Sequence, residues 1–148
     1  MNVEVGSIMN RFYSLFPCKV YTEEVPEDFE IPSMYFPEPF SFGGGDTNMT
    51  FLKTYSLNIK LFHQTKQKAY SEAEKIATAI ERARSVVPMV DPAGVLTGEY
   101  LRIGRIEVRG SGPGVATIVV NWDSRYHYDR DPVPSLENFD LEGGLKDE

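Results

Sequence analysis

The feature that most constrains this chain is a long alternating run, TFLKTYSLNIKLFHQ, at residues 50–64. Apolar side chains occupy one parity and polar side chains the other, with Phe51, Tyr55, Leu57, Ile59 and Leu61 set against Thr50, Thr54, Ser56, Asn58 and Lys60. Because successive side chains of a strand point to opposite faces, the run predicts one long β-strand with a buried face and a solvated face. A sheet built around such a strand needs a second layer to cover its apolar side.

Two segments with helical periodicity can supply that layer. Near the N-terminus, apolar residues recur at spacings of three and four until Pro17, namely Val5, Ile8, Met9, Phe12, Leu15 and Phe16. Residues 66–87 repeat the helical period with mostly small side chains, namely Ala69, Ala73, Ile76, Ala77, Ile80, Ala83 and Val87. The alanines favour close packing on a sheet, and we expect Pro88 to end this second helix.

Shorter strands are predicted before and after the long one. Residues 18–23 and the aromatic stretch MYFPEPFSF (34–42) precede it, and the prolines of the second segment place it at an edge or give it a bend. A DPAG turn (91–94) and a terminal hairpin follow the second helix. In that hairpin the pairs Leu101/Ile103 and Ile106/Val108 have opposite parity, so a β-bulge near Gly104 is needed to bring them to one face.

These elements predict an α+β fold, a largely antiparallel twisted sheet packed by two helices in the order α-β-β-β-α-β-β. We expect a single domain over residues 1–128 and an acidic, mobile tail over residues 129–148. The tail supplies five of the seven net negative charges, and its apolar residues are too few to offset ordering entropy. The chain lacks a run of about 18 apolar residues and a signal-peptide pattern, so we expect a soluble, intracellular protein with no membrane partner.

The triple glycine in FSFGGGDTNMTF (40–51) raises the question of a phosphate-binding loop. Gly43, Gly44, Gly45 and Asp46 lead into the long strand, whereas a phosphate loop leads into a helix N-terminus. They also lack the Lys and Ser/Thr that hold nucleotide phosphate and magnesium. We therefore interpret residues 43–48 as a flexible loop between two strands, which an external partner would order.

Catalytic and metal-binding patterns are weak throughout the chain. The lone Cys18 excludes an internal disulfide and is read as a small apolar side chain. His63 and His127 would need Asp123 or Asp129 nearby to make a site, and Ser124 lacks the strained turn of a nucleophile. The acidic residues Glu23, Glu24, Glu27, Asp28 and Glu30 lack the spacing of a calcium loop. We predict no cofactor and no metal.

The charged residues instead suggest interaction surfaces. Residues 23–38 hold six carboxylates and no Lys or Arg, and Arg102, Arg105 and Arg125 belong to the terminal hairpin. Three interpretations remain open for these arginines. They line a solvated sheet face, they meet residues 23–38 of another copy in a head-to-tail contact, or they contact a phosphate backbone.

The sequence of patterns resembles the tail terminator (tail completion) proteins of long-tailed bacteriophages and prophages. The resemblance rests on the amphipathic first helix followed by FPCKVYTEEVPEDFEIPSMYF, on TYSLNIKLFHQ, on AYSEAEKIATAIE and on GEYLRIGRIEVRGSGPGVATIVVNWDSRYHY. It covers most of residues 1–128 and does not include the acidic tail.

This resemblance implies a virion assembly protein that is not an enzyme. Such proteins form a ring, typically of six subunits, that caps the tail tube and joins it to the head-completion or neck proteins. The resemblance also implies assembly in the bacterial host cytoplasm and a final position at the junction of tail and neck. Two alternatives remain: an adaptor that contacts DNA in the channel, and a small-molecule-binding or hydrolytic domain using His63, His127 and Asp123.

Overall fold

The long alternating strand forms as predicted and lies at the centre of a seven-stranded sheet. The computed structural model describes residues 2–129. Its elements are α1 (Val3–Leu15), β1 (Lys19–Tyr21), β2 (Ser33–Tyr35), β3 (Phe40–Gly45), β4 (Thr50–Phe62), α2 (Lys66–Arg82), β5 (Val86–Val90), β6 (Leu96–Gly112) and β7 (Val115–His127). The predicted α+β class and element order are confirmed, and β3 and β5 are additional short strands.

The strand order across the sheet is β1-β2-β4-β7-β6-β5. Strand β3 pairs with the first half of β4, on the same side of β4 where β2 pairs with its last three residues. All neighbouring strands are antiparallel except β1 and β2, which are parallel. The aromatic stretch 34–42 is thus divided between β2 and β3, and Pro37 and Pro39 lie in the bend that separates them.

Both helices bury their apolar faces against one face of this sheet. Leu57, Ile59 and Leu61 of β4 are fully buried, as predicted from their parity. They form one cluster with Val5, Ile8 and Phe12 of α1, with Ala69, Ala73, Ile76 and Ile80 of α2, and with Ile118, Val120 and Trp122 of β7. Burying each large side chain of this kind contributes about 1.5–3 kcal/mol, so the core stabilises the fold mainly through these contacts.

Side chains cap the start of both helices. The Asn2 side-chain oxygen accepts hydrogen bonds from the backbone N–H groups of Glu4 and Val5, at 2.6 and 3.1 Å. Thr65 does the same for Lys68 at 3.1 Å. Each cap satisfies N–H groups that have no partner inside the helix, which stabilises a helix by about 1 kcal/mol.

The expectation that α2 continues to Val87 and ends at Pro88 is wrong. The helix ends at Arg82, and Arg84 and Ser85 adopt left-handed φ values of 63° and 58° that leave the helical path. Val87 and Pro88 then belong to the edge strand β5, where a missing N–H group is tolerated. Val87 is fully buried in β5. Its side chain therefore packs into the core from the strand, although its spacing in the sequence also fits the helix.

The β-bulge predicted near Gly104 is confirmed. The pairing of β6 with β7 shifts between Ile103 and Arg105, so one extra residue is accommodated at Gly104. Ile103, Ile106 and Val108 consequently all face the helices, since they pair with Trp122, Val120 and Ile118. The same shift brings Arg102 and Arg105 to the opposite face of the sheet, away from the helices.

Within residues 2–129, neither helix combines the length and apolar character needed to cross a membrane. The acidic tail predicted for residues 129–148 lies outside the described residues except for Asp129, which is exposed.

Candidate interaction surfaces

The structure brings Asp46 and Arg125, two residues singled out in the sequence, into direct contact. Arg125 Nε donates to Asp46 Oδ2 at 2.6 Å, and Thr50 Oγ1 donates to the same oxygen at 2.8 Å. The hydrogen bond from Thr50, followed by that from Arg125, lowers the pKa of the Asp46 carboxyl below its ordinary value. The contact fastens the turn between β3 and β4 to β7, on the far side of β4.

Side chains also organise the turn itself. Thr47 Oγ1 accepts hydrogen bonds from the N–H groups of Met49 and Thr50, at 3.1 and 3.0 Å, and Thr47 N–H donates to the Thr50 carbonyl at 3.1 Å. Residues 46–49 therefore form a short hydrogen-bonded turn, stabilised by the local side-chain bonds that Thr and Asp favour.

Residues 43–45 were expected in a loop, and that expectation is wrong. Gly43, Gly44 and Gly45 pair with Lys53, Leu52 and Phe51 as the second half of β3. Continuous pairing with β4 overrides the low strand propensity of glycine, which sequence patterns alone do not anticipate. The segment has no phosphate-loop geometry, because it runs between two strands.

These glycines are not required by the fold of the described chain. None of the three adopts a left-handed φ. A Cβ added at Gly44 or Gly45 would meet nothing within 4 Å, and one at Gly43 would make an ordinary 3.7 Å contact with the Leu52 carbonyl oxygen. Glycine inside a strand destabilises a protein by about 0.5–1 kcal/mol relative to alanine. The three glycines therefore lower the stability of β3 although the surrounding space would accept alanine.

All six residues of β3 are exposed. Phe40 and Phe42 are 58% and 60% exposed although both belong to a paired strand. Their partners on β4 are Ser56 and Thr54, so both rings project from the sheet face opposite the helices. Strand β3 thus presents an open edge with two aromatic side chains beside it.

The acidic surface lies on the side of the sheet formed by β1, β2 and β3. Glu23, Glu24, Glu27, Asp28 and Glu30 belong to the connection from β1 to β2, and Glu38 precedes β3; all six are exposed. None of them makes a salt bridge to another described residue. Across residues 2–129 no three potential ligands come together as a metal site.

The basic surface lies on the other side of the sheet, along β6. Arg102, Arg105 and Arg109 are exposed and share the face opposite the helices, because of the bulge at Gly104. Glu107 lies between two of them and contacts Arg105 at 3.2 Å and Arg109 at 3.0 Å. Arg102 makes no salt bridge within residues 2–129, so the surface keeps a net positive charge.

Arg125 shares the sheet face of Arg102 and Arg105, since it has the parity of Asn121, but it is set apart from Arg105 along β7. Arg105 pairs with Asn121, and Arg125 lies four residues farther along β7. That separation is about 13 Å along the strand. Arg125 instead serves the turn through Asp46.

The site imagined from both histidines does not form. His127 pairs with Thr50 at the start of β4, whereas His63 follows Phe62 at its end. A strand of 13 residues separates them by roughly 40 Å. Asp123 is held by Thr54 at 2.7 Å, and His63 stacks on Phe16 with ring centroids 6.3 Å apart.

Cys18 is partly buried against the core. Burial raises the pKa of its thiol to about 11, so the thiolate is scarce at neutral pH. An open groove of about 720 Å³ runs beside it along α1, lined by side chains such as Met9, Tyr13, Val20 and Pro92. The groove holds no histidine and no pair of carboxylates, so its lining suits apolar contact rather than acid–base chemistry.

Two exposed apolar surfaces were missed by sequence reasoning. At the tip of the β5–β6 hairpin, Val95, Leu96 and Tyr100 are 59%, 69% and 67% exposed. Where the start of β4 meets the end of β7, Phe51 packs against Tyr126 and Tyr128, with ring centroids 5.5 and 5.2 Å apart. The parity of Tyr126 and Tyr128 matches that of the core, but 38% and 49% of their surface stays exposed.

A hydrogen bond between Tyr55 and Tyr126 lies beside the aromatic surface of Phe51, Tyr126 and Tyr128. Tyr55 stacks on Trp122, and its hydroxyl hydrogen-bonds the Tyr126 hydroxyl at 2.8 Å. This hydrogen bond, followed by burial, raises the pKa of Tyr55 to about 12. Ser124 donates to Glu4 of α1 beside them.

Comparison with known proteins identifies two similar sequences. No protein-family model matches it. It is 48% identical over 146 residues to the uncharacterized protein YqbJ of Bacillus subtilis (strain 168), covering 99% of this chain and 100% of YqbJ. It is 43% identical, with the same coverage, to the phage-like element PBSX protein XkdJ of the same organism.

A chain of the solved structure described as "Virion of native gene transfer agent (GTA) particle" superposes with a TM-score of 0.49 at 13% identity, covering 84% of this chain and 94% of that chain. The two Bacillus subtilis relatives match this chain over essentially their full lengths, at identities far above those of unrelated sequences. The chain therefore belongs to the family of YqbJ and the phage-like element PBSX protein XkdJ.

Proposed function

We propose that this protein is a structural component of a phage or prophage particle, in which it forms a ring that caps the tail tube and joins the tail to the head-completion or neck proteins. Two lines support the proposal. One relative, XkdJ, is named as a protein of a phage-like element. The sequence patterns also resemble those of tail terminator proteins.

The observation that best supports a ring is the opposite charge on the two sides of the sheet. Six exposed carboxylates lie on the side of β1, β2 and β3, and three exposed arginines lie along β6 on the other side. A surface that complements a different surface of the same molecule joins copies head to tail, and such contacts close into a ring when the rotation between neighbours divides a full turn evenly. Charge complementarity would also set the register between neighbouring subunits. We propose six subunits, following the resemblance.

The proposed role needs no catalysis. The two histidines lie at opposite ends of β4, and no charged residue among the described residues is buried. The remaining exposed features, namely β3, the β5–β6 tip and the aromatic end of β7, suit contacts with tube and neck proteins. The particle would be assembled in the host cytoplasm.

Light scattering coupled to size-exclusion chromatography tests the proposal. We expect the purified chain to shift from monomer to ring as its concentration rises, or when the tail tube protein of the same element is added. Immunogold labelling should mark the junction of tail and neck in isolated particles. A chain that remains monomeric and joins neither tube nor neck proteins would contradict the proposal.

An adaptor that contacts DNA in the channel is the second candidate. It is favoured by the placement of Arg102, Arg105 and Arg109 on one face, although Glu107 neutralises part of their charge. Phosphate contacts release counterions, so binding of duplex DNA would weaken steeply with salt and after Arg102→Ala or Arg105→Ala. Absent or salt-independent retention of DNA would exclude this role.

A further inference from the structure

The edge of β3 that faces away from β4 carries a row of free backbone groups. Two hydrogen bonds show which residues direct their backbone N–H and C=O groups to this edge. Tyr128 N–H donates to the Met49 carbonyl at 3.0 Å, so odd-numbered residues of this part of β4 direct their backbone groups toward β7. Thr47 N–H donates to the Thr50 carbonyl at 3.1 Å, so even-numbered residues direct theirs toward β3.

The register of β3 then assigns its own residues. Phe40, Phe42 and Gly44 pair with Ser56, Thr54 and Leu52, whose backbone groups point toward them. Backbone groups alternate in direction along an antiparallel strand. Ser41, Gly43 and Gly45 therefore present their N–H and C=O groups to the open side, where no strand of residues 2–129 pairs with them.

This edge lacks the devices that usually prevent strand pairing between molecules. Natural edge strands carry charged residues, proline or bulges, whereas Phe40–Gly45 has none of these. The absence of these devices singles out β3 as an edge that is kept available.

The glycines of β3 point the same way. Their φ values and surroundings would accept a side chain, so the fold of one chain does not explain them. Glycine inside a strand often marks a place where another backbone approaches closely. Here the bare half of the strand leaves both its faces and its edge unobstructed.

We propose that β3 accepts a strand from a second copy of this chain, and that the strand is the open side of β6 over residues 104–111. This proposal rests on the head-to-tail ring proposed above. Beyond Arg102, no described strand covers the side of β6 that faces away from β7. Joining β3 of one copy to β6 of the next brings the sheet side with the carboxylates against the sheet side with the arginines. The sheet would continue from subunit to subunit.

A proline placed at Gly43 tests the backbone contact. Gly43→Pro removes a donor that points to the open side and leaves the β4 ladder intact, because Gly43 does not bond to β4. The matched variant Gly43→Ala keeps the donor and adds only a methyl group with room to fit. We expect Gly43→Ala to keep most of the association of the unmodified chain, and Gly43→Pro to associate about tenfold more weakly than Gly43→Ala or worse, measured by light scattering over a concentration series.

Hydrogen exchange on the unmodified chain gives a readout that does not depend on folding of the variant. Peptides covering residues 40–45 and 104–111 should exchange more slowly in the assembled state than in the monomer, because strand pairing shields their amides. An assembled ring in which both peptides exchange at the monomer rate, or full assembly of Gly43→Pro, would overturn strand addition and leave the ring intact. An unmodified chain that never assembles, alone or with tube protein, would overturn both proposals.

Discussion

Arg125 Nε lies 2.6 Å from Asp46 Oδ2, a contact that joins the turn after β3 to the strand on the other side of β4. The Arg125 side chain is 62% exposed and that of Asp46 is 18% exposed, so the carboxylate is the more enclosed partner. Because β3 has no other neighbour than β4 within the described chain, this contact links its glycine end to a second strand in addition to the pairing with β4. It positions the edge on which the proposed strand addition depends.

Replacing Asp46 by Asn should loosen the turn without unfolding the protein. The variant loses the charge that holds Arg125, and we expect faster amide exchange in residues 43–49 with a nearly unchanged unfolding midpoint. Arg105→Ala is a matched control, since it removes an exposed arginine contact elsewhere and should leave these amides unchanged. Equal exchange in Asp46→Asn and the unmodified chain would show that the contact does not restrain the turn.

The pH dependence of the same contact follows from the lowered pKa of Asp46. A carboxyl whose pKa is lower in the folded chain contributes stability above its unfolded pKa and loses it as pH falls through the folded value. We expect the amides of residues 43–49 to keep their relative protection at neutral and mildly acidic pH and to lose it only under strong acid. In Asp46→Asn this acid transition should be absent, which hydrogen exchange corrected for intrinsic pH dependence can check.

Truncating Leu57 should destabilise the protein strongly. Leu57 is fully buried at the centre of β4, and removing its methyl groups leaves a cavity between the sheet and the helices. Leu57→Ala is expected to lower the free energy of unfolding by about 2–5 kcal/mol, measured in urea. Its exposed neighbour gives the control, since Asn58→Ala should change that energy by no more than about 0.5 kcal/mol. Similar effects from both variants would contradict the assignment of the buried face.

Deleting Gly104 should be far more harmful than replacing it. The bulge allows Leu101 and Ile103 to share the buried face with Ile106 and Val108, and a deletion would turn one pair toward solvent. We expect a loss of more than about 3 kcal/mol in unfolding free energy or a chain that does not fold. Gly104→Ala should be tolerated, because its Cβ would lie 3.6 Å from the Asn121 carbonyl oxygen, an ordinary contact. A stable deletion variant with an unchanged spectrum would contradict the bulge.

Patterns of side-chain periodicity anticipated much of the fold. The parity of residues 50–61, the spacing of apolar residues in α1 and the conflict of parity around Gly104 each have one simple structural solution, and the structure adopts all three. Where α2 ends was not anticipated, because Val87 fits the helical spacing by coincidence. The left-handed residues Arg84 and Ser85 are neither glycine nor asparagine, so no local signal marked the end.

The interaction surfaces were anticipated only in part. The contact of Asp46 with Arg125 joins residues 79 positions apart, and it depends on the register of β4 with both neighbours, which no local pattern reports. The strand character of residues 43–45 comes from pairing with β4, since glycine alone predicts a loop. Tyr126 and Tyr128 share the parity of the buried residues of β7 yet stay partly exposed, a difference that parity alone does not report.

Exchanging the charges of the two surfaces tests the head-to-tail ring directly. One variant carries Arg102→Glu and Arg105→Glu; the other carries Glu23→Lys, Glu24→Lys, Glu27→Lys and Asp28→Lys, which leaves four lysines against Glu30 and Glu38. Each alone places like charges in contact at every interface, so we expect neither to assemble. In an equimolar mixture each subunit can bind a neighbour of the other kind through opposite charges on both sides. Light scattering should therefore show rings in the mixture, and they should weaken with salt, as contacts between exposed charges do.

The mixture also tests the number of subunits. Strict alternation of the two variants closes only a ring with an even number of members, so a six-membered ring should be restored and an odd-membered ring should not. Native mass spectrometry of the mixture should find three copies of each variant, since six subunits alternate. The control variant carries Lys75→Glu in place of the two arginine changes. Lys75 is an exposed residue of α2 that belongs to neither charged surface, so this variant should assemble without the lysine-bearing variant. If each charge variant assembles by itself as well as the unmodified chain does, the acidic and basic surfaces do not meet.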